Sequence, residues 1–173
     1  MERSTTFTAV PGVGGCVMGV VALVAALVGS GQSSADRWLL TWLAAAALAA
    51  SVGVAAMARK AQQSGATITG AIARRFAAGL AAPFVAGAAI TYALWAAGHF
   101  TVMAPAWLLL YGAGLLTGGI FSVPAVRSIG ACFMGLGLLA ILTPPEWGNL
   151  WLALGFGGLQ IGFGVYVARY HGG

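Results

Sequence analysis

The sequence predicts an all-α membrane protein: a single integral domain, residues 1–173, whose six transmembrane helices form a bundle built from three hairpins. The first observation is composition, since 60% of the residues are hydrophobic and 6% are charged. Soluble domains carry about 25% charged residues, so a chain as apolar as this one could not cover itself in water. The second is a mean hydropathy of +0.94. The third is a set of six uncharged apolar stretches, most of them near the ~20 residues that a helix needs to cross a bilayer.

The six stretches contain no Asp, Glu, Lys or Arg. They are Pro11–Gly29, Trp38–Met57, Phe76–Ala97, Ala106–Val123, the short Ser128–Leu142, and Trp147–Ala168. Lipid offers the backbone no hydrogen-bond partners, so each stretch must bond internally, which predicts helices. Barrel strands would alternate apolar and polar residues, and these stretches do not. A cleaved signal peptide is the alternative interpretation of the first stretch, but its apolar run is longer than is usual.

The basic residues predict the orientation. Seven of the eight cations fall on one side of a six-span arrangement: Arg3, Arg59, Lys60, Arg74, Arg75, Arg127 and Arg169. Only Arg37 falls on the other side. The positive-inside rule therefore predicts that both termini lie in the cytoplasm, in a bacterial-type inner membrane. All six tryptophans lie near the opposite ends of the helices, where indole rings prefer the headgroup boundary.

The first and last hairpins have similar sequences. Cys16-Val17-Met18-Gly19 corresponds to Cys132-Phe133-Met134-Gly135, and the tryptophan pair at positions 38 and 42 corresponds to the pair at 147 and 151. Hairpins at residues 10–60, 74–127 and 128–170 would then form a parallel internal repeat. Chance similarity between apolar helices is the open alternative.

One stretch resembles a known family. Gly135–Arg169 has Leu138, Ala140, Pro144, Pro145, Gly158 and Gly162 at positions similar to those of the HdeD-type small membrane proteins. The resemblance covers the pattern of helices and turns and includes no polar motif. That family is associated with acid-stress resistance and has no established catalytic residues. The resemblance therefore implies a structural or protective role in the membrane.

Small residues spaced four apart predict close helix packing. The pairs are Gly15 with Gly19, Gly114 with Gly118, and Gly158 with Gly162. Helices in lipid associate largely by such close approach. The contacts could lie within the chain, in a homo-oligomer or against another membrane protein.

Four cations flank the longest connection: Arg59, Lys60, Arg74 and Arg75. They either enforce topology alone or also contact anionic lipid headgroups or a partner.

The absence of charge within the stretches argues against several kinds of chemistry. Proton-coupled and cation-coupled carriers usually hold a carboxylate within the membrane, and none lies in these stretches. His99 and His171 fall on opposite surfaces, so they cannot share a metal. No nucleotide-binding or hydrolase motif is present. We therefore expect no enzymatic activity, no cofactor, no metal and no nucleic-acid partner.

The few polar residues within the stretches form the candidate ligand site: Gln160, Thr117, Tyr111, Tyr92 and Thr91. Gln160 is the most costly, because an amide in hydrocarbon must find partners. Its alternative role is an interhelical hydrogen bond. The two tyrosines could instead be interfacial aromatics, and the threonines could bond to their own helices.

The sequence thus predicts a small inner-membrane protein that acts by helix packing, lipid contact or partner binding. The alternative is a small permease or channel for a neutral or weakly polar solute. That alternative requires Gln160, Tyr111 and Tyr92 to face a common cavity.

Overall fold

The fold was determined as a computed structural model, which describes residues 12–64 and 70–170. Six helices in these residues are long and apolar enough to cross a membrane. They are α1 (Gly12–Ser30), α2 (Ala35–Ser64), α3 (Ala71–Ala96), α4 (Met103–Gly118), α5 (Pro124–Ile141) and α6 (Pro145–Tyr170). The predicted all-α, six-span fold is confirmed. Arg3, His171 and the start of the first predicted stretch lie outside the described residues.

The helices pack in two groups. α1 packs along both α2 and α6, whereas α4 packs along both α3 and α5. Leu108, Phe133 and Leu152 of α4, α5 and α6 are completely buried where the groups meet. α2 and α3 therefore stand at the two edges of the bundle. The third predicted hairpin differs from the others, because α5 packs mainly on α4 and α6 mainly on α1; the internal repeat stays a prediction.

The two ends of the bundle differ in composition. The tryptophan end, defined by the connections after α1, α3 and α5, carries Trp38, Trp95, Trp107, Trp147 and Trp151. The arginine end, defined by the connections after α2 and α4, carries Arg59, Lys60, Arg74, Arg75, Arg127 and Arg169. Trp42 is only 5% exposed and belongs to the core, not to an interfacial belt.

α3 ends at the tryptophan end in a glycine-dependent turn. Gly98 has a φ of 72°, which few residues with a side chain adopt. The N–H of Gly98 donates to the carbonyl of Trp95 at 3.0 Å, and that of His99 donates to Leu94 at 2.8 Å. These two bonds are those of a Schellman motif, which satisfies carbonyls left free at a helix end.

Pro83 interrupts the hydrogen bonding of α3, and Thr117 of α4 compensates. A proline has no N–H, so the carbonyl four residues earlier, that of Gly79, loses its helical donor. The hydroxyl of Thr117 donates to that carbonyl at 2.6 Å. The two helices are close enough because a Cβ added at Gly79 would lie 2.7 Å from the Cα of Gly118. The close packing predicted at Gly118 therefore also brings the Thr117 hydroxyl of α4 near enough to replace the hydrogen bond that Pro83 removes from α3.

Two of the three predicted glycine pairs lie at helix crossings within the chain. A Cβ on Gly15 would approach the backbone of α6 to 3.2 Å, and a Cβ on Gly19 would approach an α6 side chain to 2.5 Å. Gly114 and Gly118 face Phe84 and Leu80 of α3 in the same way.

The third pair requires a correction. Gly158 and Gly162 are exposed, and a Cβ on either would meet nothing within 4 Å, so they form no crossing with any described residue. The close approach to α1 is made by Gly157 and Gly164 instead. The physical reason is a π-helical segment, Ala153–Leu159, which inserts a wide turn into α6 and changes which residues face α1.

Candidate functional site

A cavity of about 550 Å³ lies inside the bundle between the edge helices α2 and α3. All six helices contribute to its lining, which consists mostly of alanine, glycine, leucine, methionine and phenylalanine side chains. Along α2 the lining runs from Trp42 to Met57, which is about 22 Å at 1.5 Å per residue. The hydrocarbon core of a bilayer is about 30 Å thick, so the cavity spans most of it.

The cavity is covered at both ends. At the tryptophan end, Trp38 stacks on Trp107 with ring centroids 5.6 Å apart. There the indole of Trp95 on α3 also donates to the carboxylate of Asp36 on α2 at 3.0 Å. At the arginine end, a buried cluster joins the helices: Ala61, Ala73, Phe76 and Val126.

Between these two ends the cavity opens sideways. α2 and α3 each pack along one neighbour and do not pack extensively on each other. Leu43, Val54 and Phe84 line the cavity, yet they are 44%, 65% and 44% exposed. In a membrane-spanning bundle this opening faces the lipid, so the route into the cavity runs through the bilayer.

Gln160 is the most unusual polar group of the lining. It is 8% exposed and lines the cavity together with Tyr111. Its Oε1 is buried and has no hydrogen-bond partner in the described residues. Tyr111 is held among aromatic rings, with centroids 4.7 Å from Phe133 and 5.0 Å from Phe156.

Thr91 has both of its hydrogen-bonding roles filled. Its hydroxyl donates to the carbonyl of Gly87 at 2.7 Å and accepts from the indole of Trp107 at 2.8 Å. It therefore fixes Trp107 over the tryptophan end of the cavity.

The structure brings three of the five predicted ligand residues together, namely Gln160, Tyr111 and Thr91. The other two do not line the cavity. Tyr92 follows Thr91 on the helix and points outward, 67% exposed beside Trp95. Thr117 is exposed, and its hydroxyl donates to the backbone of α3 at 2.6 Å.

Asn149 organises a polar contact that the sequence did not predict. The indoles of Trp38 and Trp42 both donate to its Oδ1, at 3.2 and 3.1 Å, and its amide donates to the carbonyl of Ala26 at 2.8 Å. The two tryptophans were predicted to be interfacial anchors. Their spacing of four residues puts both on one helix face, which is the signal that could have indicated a shared partner.

The predicted cationic residues separate into two places. Arg59 and Lys60 line a recess of about 400 Å³ between α1 and α2, beside valine and alanine side chains. Arg74 and Arg75 are exposed in the first turns of α3 and do not line it. In residues 12–64 and 70–170, no group of three or more His, Cys, Asp or Glu side chains is arranged to hold a metal ion.

Comparisons with protein-family models, with curated proteins and with solved structures give no match.

Proposed function

We propose that this protein is a non-enzymatic membrane protein that binds one apolar molecule from the bilayer in the cavity between α2 and α3. The observation that carries the proposal is the cavity itself: about 550 Å³, lined by apolar side chains and open sideways. Small-molecule sites commonly measure about 300–1,000 Å³ and are mostly apolar.

The side opening favours a ligand that is dissolved in the membrane. A water-soluble ligand would enter from an end of the cavity. The stacked indoles cover one end, and the buried cluster of Ala61, Ala73, Phe76 and Val126 covers the other. A molecule in the lipid would pass the exposed apolar side chains of Leu43, Val54 and Phe84, which a bilayer would already surround with hydrocarbon. Filling the space also restores dispersion contacts that an empty cavity lacks.

The experiment is to purify the protein in mild detergent and identify what it retains by native mass spectrometry. We expect one apolar molecule per chain, recovered chemically unchanged. Ala49→Phe, on the cavity lining, is expected to abolish retention, whereas Ala44→Phe, on the exposed face of the same helix, should leave it intact. Equal retention by the two variants would refute the proposal.

A second candidate is a permease for a neutral or weakly polar solute. It is supported by one observation, that Gln160, Tyr111 and Thr91 line the same cavity. Tyr92 points away, so the permease site predicted from the sequence fails its own requirement, and only a site without Tyr92 stays as a candidate. Vesicles containing the protein would then take up a small neutral solute faster than empty vesicles, and Ala49→Phe would remove the difference.

We also propose that the arginine end faces the cytoplasm of a bacterial-type inner membrane, because the basic residues gather there. Anionic headgroups at that surface would meet Arg59 and Lys60 at their recess. A second copy of this chain, or another membrane protein, would pack on the exposed face at Gly158 and Gly162.

A further inference from the structure

The recess between α1 and α2 combines a basic rim with an apolar floor. The rim, at the arginine end, is formed by Arg59, Lys60 and Gln63 of α2. The lining extends along α2 from Val52 to Gln63, which is about 16 Å at 1.5 Å per residue. The floor consists of small apolar residues of both helices: Val13, Gly14, Val17, Val52, Ala55 and Ala56. The recess is therefore an amphipathic groove that carries its charge at one end.

The rim lies at the depth of the lipid headgroups. Arg59 follows Trp38, at the tryptophan end of the same helix, by 21 residues, or about 32 Å. The hydrocarbon core of a bilayer is about 30 Å thick, so the guanidinium lies where the phosphates begin. Val13 and Val17 on the facing helix are 62% and 43% exposed. In a bilayer the floor therefore faces the hydrocarbon, and the rim faces the headgroup layer.

The charge at this end of the bundle favours an anion. The described residues include two carboxylates, Asp36 and Glu146, and both lie at the tryptophan end. The rim supplies N–H groups from a guanidinium, an ammonium and an amide, and these are donors that a phosphate accepts. The apolar floor is complementary to a hydrocarbon chain. Rim and floor together match a molecule that carries both a phosphate and a chain.

We infer that the recess binds one anionic phospholipid from the bilayer. Its phosphate lies at Arg59 and Lys60, and one of its acyl chains lies along the apolar floor. The inference deepens the proposal that this end meets anionic headgroups, because a general attraction becomes a site with one occupant. A soluble phosphate would use the rim and leave the floor uncovered, whereas a phospholipid covers both.

The test compares phosphatidylglycerol with phosphatidylcholine, which has the same acyl chains and phosphate but no net charge. Their dissociation constants are measured on the intact protein in a neutral detergent by native mass spectrometry. We expect phosphatidylglycerol to bind about 10- to 30-fold more tightly, at about 5-fold for each cation. Arg59→Gln combined with Lys60→Gln should remove this preference. Arg74→Gln combined with Arg75→Gln removes equal charge from exposed positions outside the recess and should change it by less than about 2-fold.

The floor is tested by a substitution that fills it. Ala55→Phe places a ring in the recess, whereas Ala47→Phe places one on an exposed part of the same helix outside both cavities. We expect Ala55→Phe to weaken the binding of phosphatidylglycerol by about 5-fold or more and Ala47→Phe to leave it unchanged. Glycerol phosphate, the headgroup without chains, should not compete at about 100-fold excess.

Each outcome decides a separate point. Equal binding of the two phospholipids would overturn the site, and this comparison needs only the wild-type protein. A preference lost equally from both double variants would reduce the basic residues to a general attraction. Competition by glycerol phosphate, or equal binding by Ala55→Phe and Ala47→Phe, would overturn the role of the floor. Ala49→Phe fills the other cavity and should leave the preference unchanged, so this site and the apolar-ligand proposal can fail independently.

Discussion

Removing the Thr117 hydroxyl should destabilise the bundle, and the size of the effect should depend on Pro83. In the wild type, Thr117→Val leaves the carbonyl of Gly79 without a donor, because Pro83 cannot supply one. The carbonyls of Ala113 and Gly114 lie 2.9 and 3.1 Å from the same hydroxyl, but they keep their helical N–H donors and do not depend on its single hydrogen. One interhelical bond is therefore lost and one carbonyl is left unpaired. We expect a loss of about 1–2 kcal/mol.

The Pro83→Ala background supplies the missing N–H. The backbone at this position would then donate to Gly79 within α3, so Thr117→Val should cost less than half as much as in the wild type. The difference between the two costs is the coupling energy of a double-mutant cycle, expected near ~1 kcal/mol. Thr41→Val is the control, since the Thr41 hydroxyl bonds only to Arg37 of its own helix.

The measurement is reversible unfolding in mixed micelles of increasing dodecyl sulfate content, followed by tryptophan fluorescence. The cost of each substitution is the change in the free energy of unfolding obtained from these titrations. If Thr117→Val has the same cost with and without Pro83, the hydroxyl does not replace the missing donor and the reasoning is refuted.

Three further predictions use the same protein preparations. Gly164→Ala should destabilise by about 1–3 kcal/mol, because its Cβ would lie 2.6 Å from the backbone of α1, whereas Gly162→Ala should be neutral; equal stability would contradict the observed crossing. Asn149→Leu leaves two indoles without their acceptor, so the near-ultraviolet circular dichroism of tryptophan should weaken; an unchanged spectrum would be evidence against the network. In a cysteine-free background, an impermeant maleimide should label Ser33→Cys on intact cells and Gln62→Cys only after permeabilisation; the reverse pattern would overturn the orientation.

The sequence predicted the spans more accurately than the helix ends. The second predicted stretch ends at Met57, but α2 continues to Ser64 because polar residues such as Lys60 favour helix as well. Ser128 was predicted to begin the fifth span because Arg127 is charged, yet α5 begins at Pro124. Charge marks the edge of the apolar stretch, whereas hydrogen bonding and proline mark the end of the helix. The resemblance to HdeD-type proteins stays a prediction.

Some candidate ligand residues were chosen because a polar side chain is costly in hydrocarbon, and these were predicted correctly. The prediction failed for residues whose role depends on the direction in which the side chain points. Gln160 and Tyr111 both line the cavity. Thr91 and Tyr92 are consecutive, so on a helix their side chains point about 100° apart and cannot both line the cavity. The role of Thr117 depends on Pro83 in another helix, and the missing N–H of that proline was the available signal.

The wide turn in α6 sets the angular phase between its two halves. Asn149 and Gly157, eight positions apart, both face α1. Eight steps of an uninterrupted α-helix rotate by about 800°, leaving such a pair about 80° out of phase; with one step absorbed, the rotation is about 700°, close to two full revolutions. Deleting one codon within 153–159 would leave seven α-helical steps between the two anchors, again about 700°, so both would still face α1 and only the wide turn would be lost. Adding a codon instead would bring the rotation to about 800° and leave the anchors about 80° out of phase, so this stretch tolerates the loss of one residue better than the gain of one.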